Sequence, residues 1–491
     1  MSKVVSSFEL SLNQRPHEQT LAQWLYCELQ AAILGGRLKA GTKLPASRDF
    51  ARRYRVSRGT VVSAFERLLD EGYLYSRVGV GTFVHAKVLP QGSGRGHSAA
   101  QPAYIRRAVS AYVHPKPFVN WVALSGNRPF RMSDPALAEF PAGLWGRIAG
   151  RRARSFQRWL REEDSGGGYL PLREAISHYL GSSRGVLCGA DQIVITSGVQ
   201  QALDLLARLL LNPGDPVWME DPGYFGATIA FERAGARIIP VPVDVAGLSV
   251  SAGIEACVSA KGVYLTPAHQ YPLGMTMSLD RRMEVLRWAA RSGAFVIEDD
   301  YDSEYRFEGL PIPALQCLDR SSSVIFVGTF TKLLFPSLRL GYLVLPPSLV
   351  DVFVAFRRGT DLRSSSLDQA VLCDFMVEGH FGRHLRRMRD LYAQRLEALT
   401  HYGGRYLRGL LEVSGARAGL YTAAFLRNGM TSRQAESIAA AHGLETRALD
   451  RFTLKRNDPK GLLLGFAAFD EKAIRAGVVR LAAALGGHSA R

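Results

Sequence analysis

Between residues about 87 and 118 the apolar periodicity that marks the rest of the chain stops, and Pro, Gly, Ser and basic residues take over. A stretch of that composition cannot bury a face and reads as a linker. It divides the 491 residues into a short N-terminal block, residues 15–86, and a long C-terminal one, residues 119–491. The two are patterned differently. The first is helical and ends in a Gly-rich hairpin. In the second, short β-rich runs alternate with amphipathic helices, the signature of a mostly parallel α/β sheet. Candidate strands are Ile193–Thr196, Val217–Glu220, Ile238–Val241, Val263–Thr266, Phe295–Glu298 and Val324–Gly328; Gln200–Leu211 and Leu279–Ser292 read as helices between them.

Composition narrows the class. Hydrophobic residues make up 47%, enough for a sizeable core, and the net charge is +17, which invites a polyanionic partner. The five cysteines are scattered with no CxxC, against a disulfide framework or structural zinc. There is no apolar leader and no uncharged run of 18 apolar residues, so a soluble cytoplasmic protein without a membrane segment is expected.

In the N-terminal block, Leu21, Leu25, Leu29 and Ile33 form one stripe of a helix that stops at Gly35-Gly36. Ser47 is expected to cap a short helix with Phe50 and Tyr54 inward. Ser57 is expected to cap a third, with Val62, Phe65 and Leu69 buried and Gly72 at its C′ position. Two short helices joined by a tight turn form a helix-turn-helix whose second helix enters the major groove. Arg58, Gly59 and Thr60 lie at its exposed start. The following YLYSRVGVGTFV is a hairpin wing with Arg77 near the tip. Arg48, Arg52, Arg53, Arg55 and Arg58 stand against one acid, Asp49; they neutralise phosphates or form a solvated face.

In the C-terminal block, Lys332 follows the apolar strand ending at Gly328, where a lysine costs desolvation unless it does chemistry, such as forming an imine. Thr329, Thr331 and Arg339 offer phosphate ligands. Phe295–Ile297 runs into Glu298-Asp299-Asp300-Tyr301, acids at a strand end where open α/β sheets bind ligands. Ile193–Thr196 leads into a helix start at Val199-Gln200, an anion site. Tyr224, in the turn after Val217–Glu220, can stack on a planar ring.

Two resemblances follow. The strings GTKLPASRD, VSRGTV, FERL, EGYL and RVGVGTFV resemble the GntR-family winged helix, which implies DNA contacts from Ser47, Arg48, Arg58, Thr60 and Arg77. Val80 replaces the small residue usual between the wing glycines. TSGVQQALDL, EDPGYFG, TPAHQYPLG, EDDYDSEYRF and GTFTKLLFPSLRLGY resemble class I aminotransferases of fold type I. The implied architecture is α/β, a winged helix-turn-helix plus an aminotransferase-like domain, as in MocR/GabR-type regulators. The implied cofactor is pyridoxal 5′-phosphate: Lys332 carries it as an internal aldimine, Asp299 pairs with its ring nitrogen, Tyr301 with its phenolic oxygen, and Tyr224 stacks on it. Val199, Gln200, Thr329, Thr331 and Arg339 surround its phosphate. Tyr271-Pro272-Leu273-Gly274 stands where aminotransferases carry Asn-Pro-Thr-Gly, which removes a usual cofactor contact. Some relatives carry an arginine where this chain has Gly226. For an effector's acid group the resemblance points to Arg451 or Arg447, with Arg451 preferred; pairing of either with a surface acid is the alternative.

The function implied is a transcription regulator, a homodimer on a double-stranded DNA operator, sensing an amine or amino acid by aldimine exchange. The competing reading is an active aminotransferase with an accessory DNA-binding domain. A third reading, a cofactor-independent repressor, is opposed by Lys332 and Asp299.

Overall fold

Thr20 starts the first helix: its side-chain oxygen accepts from the Gln23 N–H at 3.3 Å, satisfying one donor the helix leaves free. A computed structural model describes residues 10–13, 15–16, 19–85, 128–132, 134–155, 166–309, 311–361, 364–427, 429–456 and 458–489. The linker expected at 87–118 lies outside the described residues. The chain divides into two compact units, Met1–Ala108 and Val109–Arg491.

In the first unit, helices α1 (Leu21–Leu34), α2 (Ser47–Tyr54) and α3 (Arg58–Asp70) precede a hairpin of β1 (Leu74–Arg77) and β2 (Gly81–Val84). Leu25, Leu29 and Ile33 of α1 pack with Phe50, Val61, Phe65 and Leu68, while Leu21, at the end of the expected stripe, is exposed. The buried face of α3 is rotated from the expected one: Val61, Ala64, Phe65 and Leu68 are inside, and Val62 and Leu69 sit at its margins. Ser57 caps α3, accepting from the Thr60 N–H at 3.0 Å. Ser47 does not cap α2; it is the first helical residue, and Ala46 before it supplies no side-chain bond. The turn between α2 and α3 places Arg55 in the left-handed region (φ 53°). In the wing, Leu74 pairs with Val84 and Arg77 with Gly81. Its tip needs positive φ at Gly79 (74°) and Gly81 (135°), which glycine adopts without strain.

The second unit is built on an eight-stranded sheet: β3 (Ile193–Thr196), β4 (Pro216–Asp221), β5 (Arg237–Asp244), β6 (Gly247–Leu248), β7 (Gly262–Leu265), β8 (Phe295–Asp300), β9 (Val324–Thr329) and β10 (Gly341–Val344), in the order β3-β10-β9-β8-β7-β4-β5-β6. The run β9-β8-β7-β4-β5 is parallel, and β10 and β6 are antiparallel to their neighbours. Because β10 opposes both β3 and β9, those two run the same way. The C-terminal ends of β3, β4, β7, β8 and β9 therefore open onto one edge. The inner strands are apolar up to their C-terminal ends, as a sheet covered on both faces requires, and β4 and β8 close on buried acids. Leu203, Leu206 and Phe231 lie in the core on one face, and Trp218 stacks on Trp288 (3.9 Å between centroids) on the other. A second sheet, antiparallel, has the order β11-β12-β14-β13, with β11 Leu411–Val413, β12 Tyr421–Leu426, β13 Arg447–Ala448 and β14 Gly461–Gly465. Helices His380–Tyr406 and Glu471–Ser489 pack with it. Among the described residues no helix is long and apolar enough to cross a membrane, and no cluster of His, Cys, Asp or Glu could hold a metal ion.

Candidate cofactor cavity and nucleic-acid interface

The strand ends enclose a cavity of about 470 Å³. All nine residues singled out for a cofactor line it: Lys332, Asp299, Tyr301, Tyr224, Val199, Gln200, Thr329, Thr331 and Arg339. They come from five separate stretches of sequence, and each reaches the cavity because the strand or helix next to it begins or ends there.

Asp299, near the end of β8, is buried. Its Oδ2 accepts from the Tyr264 hydroxyl at 2.6 Å, and its Oδ1 has no hydrogen-bond partner. Burial pushes its carboxyl up to about 7; the Tyr264 bond opposes this, and Asp300 and Asp302 add to it. Half-buried Lys332 follows β9. Burial lowers its amine below the usual range, against the pull of Asp134 and Asp302. The Tyr301 hydroxyl lies 2.9 Å from that of Tyr421 and 3.1 Å from His269 Nδ1.

At the other end of the cavity the helix Val199–Leu210 begins after Gly198 (φ 99°). Its first helical bond runs from the Ala202 N–H to the Gly198 carbonyl, so the N–H groups of the first turn precede the helix's own bonding. Arg339, left-handed at φ 51°, reaches the Ser197 carbonyl from Nη2 at 3.4 Å, and the Thr331 N–H donates to Thr329 Oγ1 at 3.1 Å. Free helix N–H groups, two hydroxyls and a guanidinium make an anion site.

Several cavity residues carried no sequence expectation. Tyr264, a hydroxyl-bearing residue in an otherwise apolar strand, is the partner of Asp299. Thr266, Phe225 and Ile229 complete the walls. Tyr271, where aminotransferases carry asparagine, meets Tyr224 edge-on (5.5 Å between centroids) and buries its hydroxyl without a partner among the described residues. A larger side chain at Gly226 would have to displace its neighbours: an added Cβ would lie 2.5 Å from the Tyr224 hydroxyl and 2.6 Å from Gln200 Oε1.

Arg447 and Arg451 do not line this cavity. They border a separate hollow of about 280 Å³ with Arg433, Glu436 and Glu445. Arg451 Nε donates to both oxygens of Glu436, at 2.7 and 2.9 Å. Arg447 lies 3.5 Å from Glu445 and 3.9 Å from Glu436. In this structure both arginines pair with acids, although Glu436 and Glu445 are buried and not the surface acids of the alternative expectation.

In the first unit, Arg48, Arg58 and Arg77 are exposed, and Ser47 and Thr60 are half-buried. Thr60 is occupied by the cap: its hydroxyl is 2.8 Å from that of Ser57. Arg48, Arg52 and Arg58 form no ion pair among the described residues. Arg77 lies over the Tyr75 ring, 5.6 Å from its centroid.

Residues 153–480 match the family model "Aminotransferase class I and II", and residues 21–84 match "Bacterial regulatory proteins, gntR family". The chain belongs to the class I and II aminotransferases, in the branch that carries a GntR winged helix-turn-helix ahead of the aminotransferase fold, and it is a helix-turn-helix transcription regulator of the MocR type. It is 39% identical over 463 residues to the probable rhizopine catabolism regulatory protein MocR of Rhizobium meliloti, covering 94% of this chain and 92% of that protein. It is 28% identical to the pyridoxine biosynthesis regulator PdxR of Corynebacterium glutamicum, over 95% of this chain and 96% of that one. Among solved structures, a kynurenine aminotransferase of Pyrococcus horikoshii aligns at a TM-score of 0.68 and 29% identity, covering 74% of this chain and 92% of that chain. The family membership implies a pyridoxal-phosphate cofactor and DNA binding.

Proposed function

We propose that this regulator holds pyridoxal 5′-phosphate in the 470 Å³ cavity and reads an amine or amino acid there, changing how a homodimer engages its operator in the cytoplasm. One observation carries the reading: Asp299 keeps one buried carboxylate oxygen without a partner in a cavity that also holds Lys332 and an anion site. A buried, unpaired acceptor is costly unless a ligand completes it. A protonated ring nitrogen is such a donor, so the residues present fit this cofactor. When bound, pyridoxal phosphate supplies an aldehyde that condenses reversibly with amines and an electron-withdrawing ring.

The chain's residues divide the work. Asp299 and Tyr264 hold the ring nitrogen's proton. Tyr301 donates to the ring's phenolic oxygen, and Tyr224 covers its face. The first N–H groups of the helix Val199–Leu210, with Thr329, Thr331 and Arg339, bind the phosphate. The lowered Lys332 amine is held toward its uncharged, nucleophilic form. An effector amine competes with Lys332, and release of that lysine distinguishes two states, which a switch requires. Arg58 and Thr60 at the start of the recognition helix, Ser47 and Arg48 at the start of the helix before it, and Arg77 in the wing contact DNA.

Reduction with borohydride in the presence of pyridoxal phosphate tests this. The wild type is expected to retain a covalent cofactor, and Lys332→Ala to retain none while still binding DNA. A wild type that takes up no cofactor refutes the proposal. Rapid multiple-turnover transamination with a keto-acid acceptor favours an enzyme instead.

A further inference from the structure

His269 and Asp302 form a buried pair beside the cavity but line none of it. His269 Nδ1 is 2.8 Å from Asp302 Oδ1, and their side chains are 2% and 0% exposed. The site is shaped around them. Gly419 (φ +94°) packs against the ring so closely that an added Cβ would lie 2.3 Å from His269 Cε1 and 2.9 Å from Asp302 Oδ2. The same Nδ1 is 3.1 Å from the Tyr301 hydroxyl, which is 2.9 Å from that of Tyr421 on β12. Three parts of the chain thus converge on one phenol: the turn after β7, the end of β8, and the second sheet.

Counting hydrogens gives this cluster a direction. A carboxylate oxygen only accepts, so the proton between His269 and Asp302 sits on Nδ1. The Tyr301 oxygen, near the same N–H, then accepts from it as well. The Tyr301 hydrogen has two places to go, Tyr421 or the cavity. If it went to Tyr421, the Tyr421 hydrogen would be left buried without a partner among the described residues, at a cost. If Tyr421 donates to Tyr301, every hydrogen is used and the Tyr301 hydrogen points into the cavity.

We propose that His269, Asp302 and Tyr421 are positioning residues that aim the Tyr301 hydroxyl hydrogen at the phenolic oxygen of the bound cofactor and so set the pH at which the cofactor changes its protonation state. The inference rests on the proposed place of Tyr301 beside that oxygen. A donor at the oxygen draws charge from the ring and weakens the hold on the cofactor's proton; without the donor the proton is lost at higher pH. The charged groups around the cluster are Asp299, Asp300 and Lys332, with Asp134 acting on Lys332. Phenols of Tyr271 and Tyr421 face Tyr301.

The test uses the full-length protein loaded with pyridoxal phosphate and no effector, and reads the pH midpoint of the cofactor's visible absorption. Tyr301→Phe calibrates the loss of the donor. Tyr421→Phe leaves all the charged groups in place, while His269→Leu also takes away the partner of Asp302; both are expected to raise the midpoint, Tyr421→Phe by roughly half to one pH unit, the worth of one net hydrogen bond. His269→Asn, which can donate from near the position of Nδ1, is expected to stay close to the wild type. If H269L unfolds, Y421F decides alone. A wild-type midpoint in Y421F or folded H269L, while Y301F moves, overturns the inference. If the wild type takes up no cofactor, or Y301F leaves the midpoint where it was, the underlying assignment of Tyr301 falls, and this inference with it.

Discussion

Replacing Glu436 with glutamine separates two roles for Arg451. Arg451 Nε is shared between both Glu436 oxygens, at 2.7 and 2.9 Å, and the Glu436 side chain is 9% exposed. If Arg451 is the group that takes an effector's acid, it must first leave Glu436, and the effector's affinity is lowered by whatever that contact contributes. A hydrogen bond to a charged partner is worth about 1.5–3 kcal/mol, and one between neutral groups about 0.5–1.5 kcal/mol. Glutamine keeps an acceptor but not the charge. The release of Arg451 therefore becomes easier by roughly 1–1.5 kcal/mol, or about five- to tenfold in affinity. The assay titrates cofactor-loaded protein with a panel of L-amino acids and with the amines that lack their acid group, following the cofactor's absorption. Glu436→Gln is expected to tighten the response to the amino acids and leave the amines unaffected. Arg451→Ala is expected to keep cofactor and DNA binding and to need roughly ten- to hundredfold more amino acid. An amino-acid midpoint that E436Q leaves unchanged, with the fold intact, refutes the exchange and makes the pair purely structural. A response lost in Arg447→Ala instead would reassign the arginine and keep the mechanism.

Other expectations follow from the same structure. In the cofactor-free protein Asp299 has its carboxyl pushed up to about 7, so the folded state holds its proton longer than the unfolded chain. Its contribution to stability therefore falls as pH rises from the ordinary carboxyl range to about 7 and is flat above that. Asp299→Asn should raise the melting temperature of cofactor-free protein at pH 8 and weaken cofactor binding; a lower melting temperature there would contradict the burial argument. Arg58→Ala should weaken operator binding and change its sequence preference, whereas Arg52→Ala should weaken binding to all sequences and reduce the salt slope by about 0.9, measured by titration at several salt concentrations. Equal operator binding by R58A and wild type would displace the recognition helix from its proposed place. Light scattering at micromolar concentration should give a dimer mass, since paired modules read two half-sites; a monomer mass would count against that arrangement.

What the amino-acid sequence determined by itself is what local physics encodes. Apolar runs bounded by turn residues delimit β3, β4, β7 and β9 to within a residue at each end, because a strand covered on both faces tolerates little else, whereas β8 runs two residues further, into its acids. Ser57 announced the start of α3, because a cap bonds within three residues of itself. Eight of the nine cofactor candidates are legible for the same reason: each lies near the end of a strand or the start of a helix, and in an open sheet those ends share one edge; Arg339 instead precedes β10, whose antiparallel start falls on that edge. The role of Ser47 is not decided by the sequence, because a serine at a helix start fits Ncap and N1 alike, and the backbone at Ala46 chooses between them. The α3 face turned by one position because the wing and α1 decide which side is covered. Tertiary structure alone decided the rest. It set β10 antiparallel between β3 and β9, gave Asp299 its partner Tyr264, and tied Arg451 to Glu436. It also brought His269, Tyr301 and Tyr421 together across a sequence separation of up to 120 residues between bonded hydroxyls. Such pairings leave no mark in a short window. They exist because polar groups buried by the fold must find one another wherever the chain has placed them.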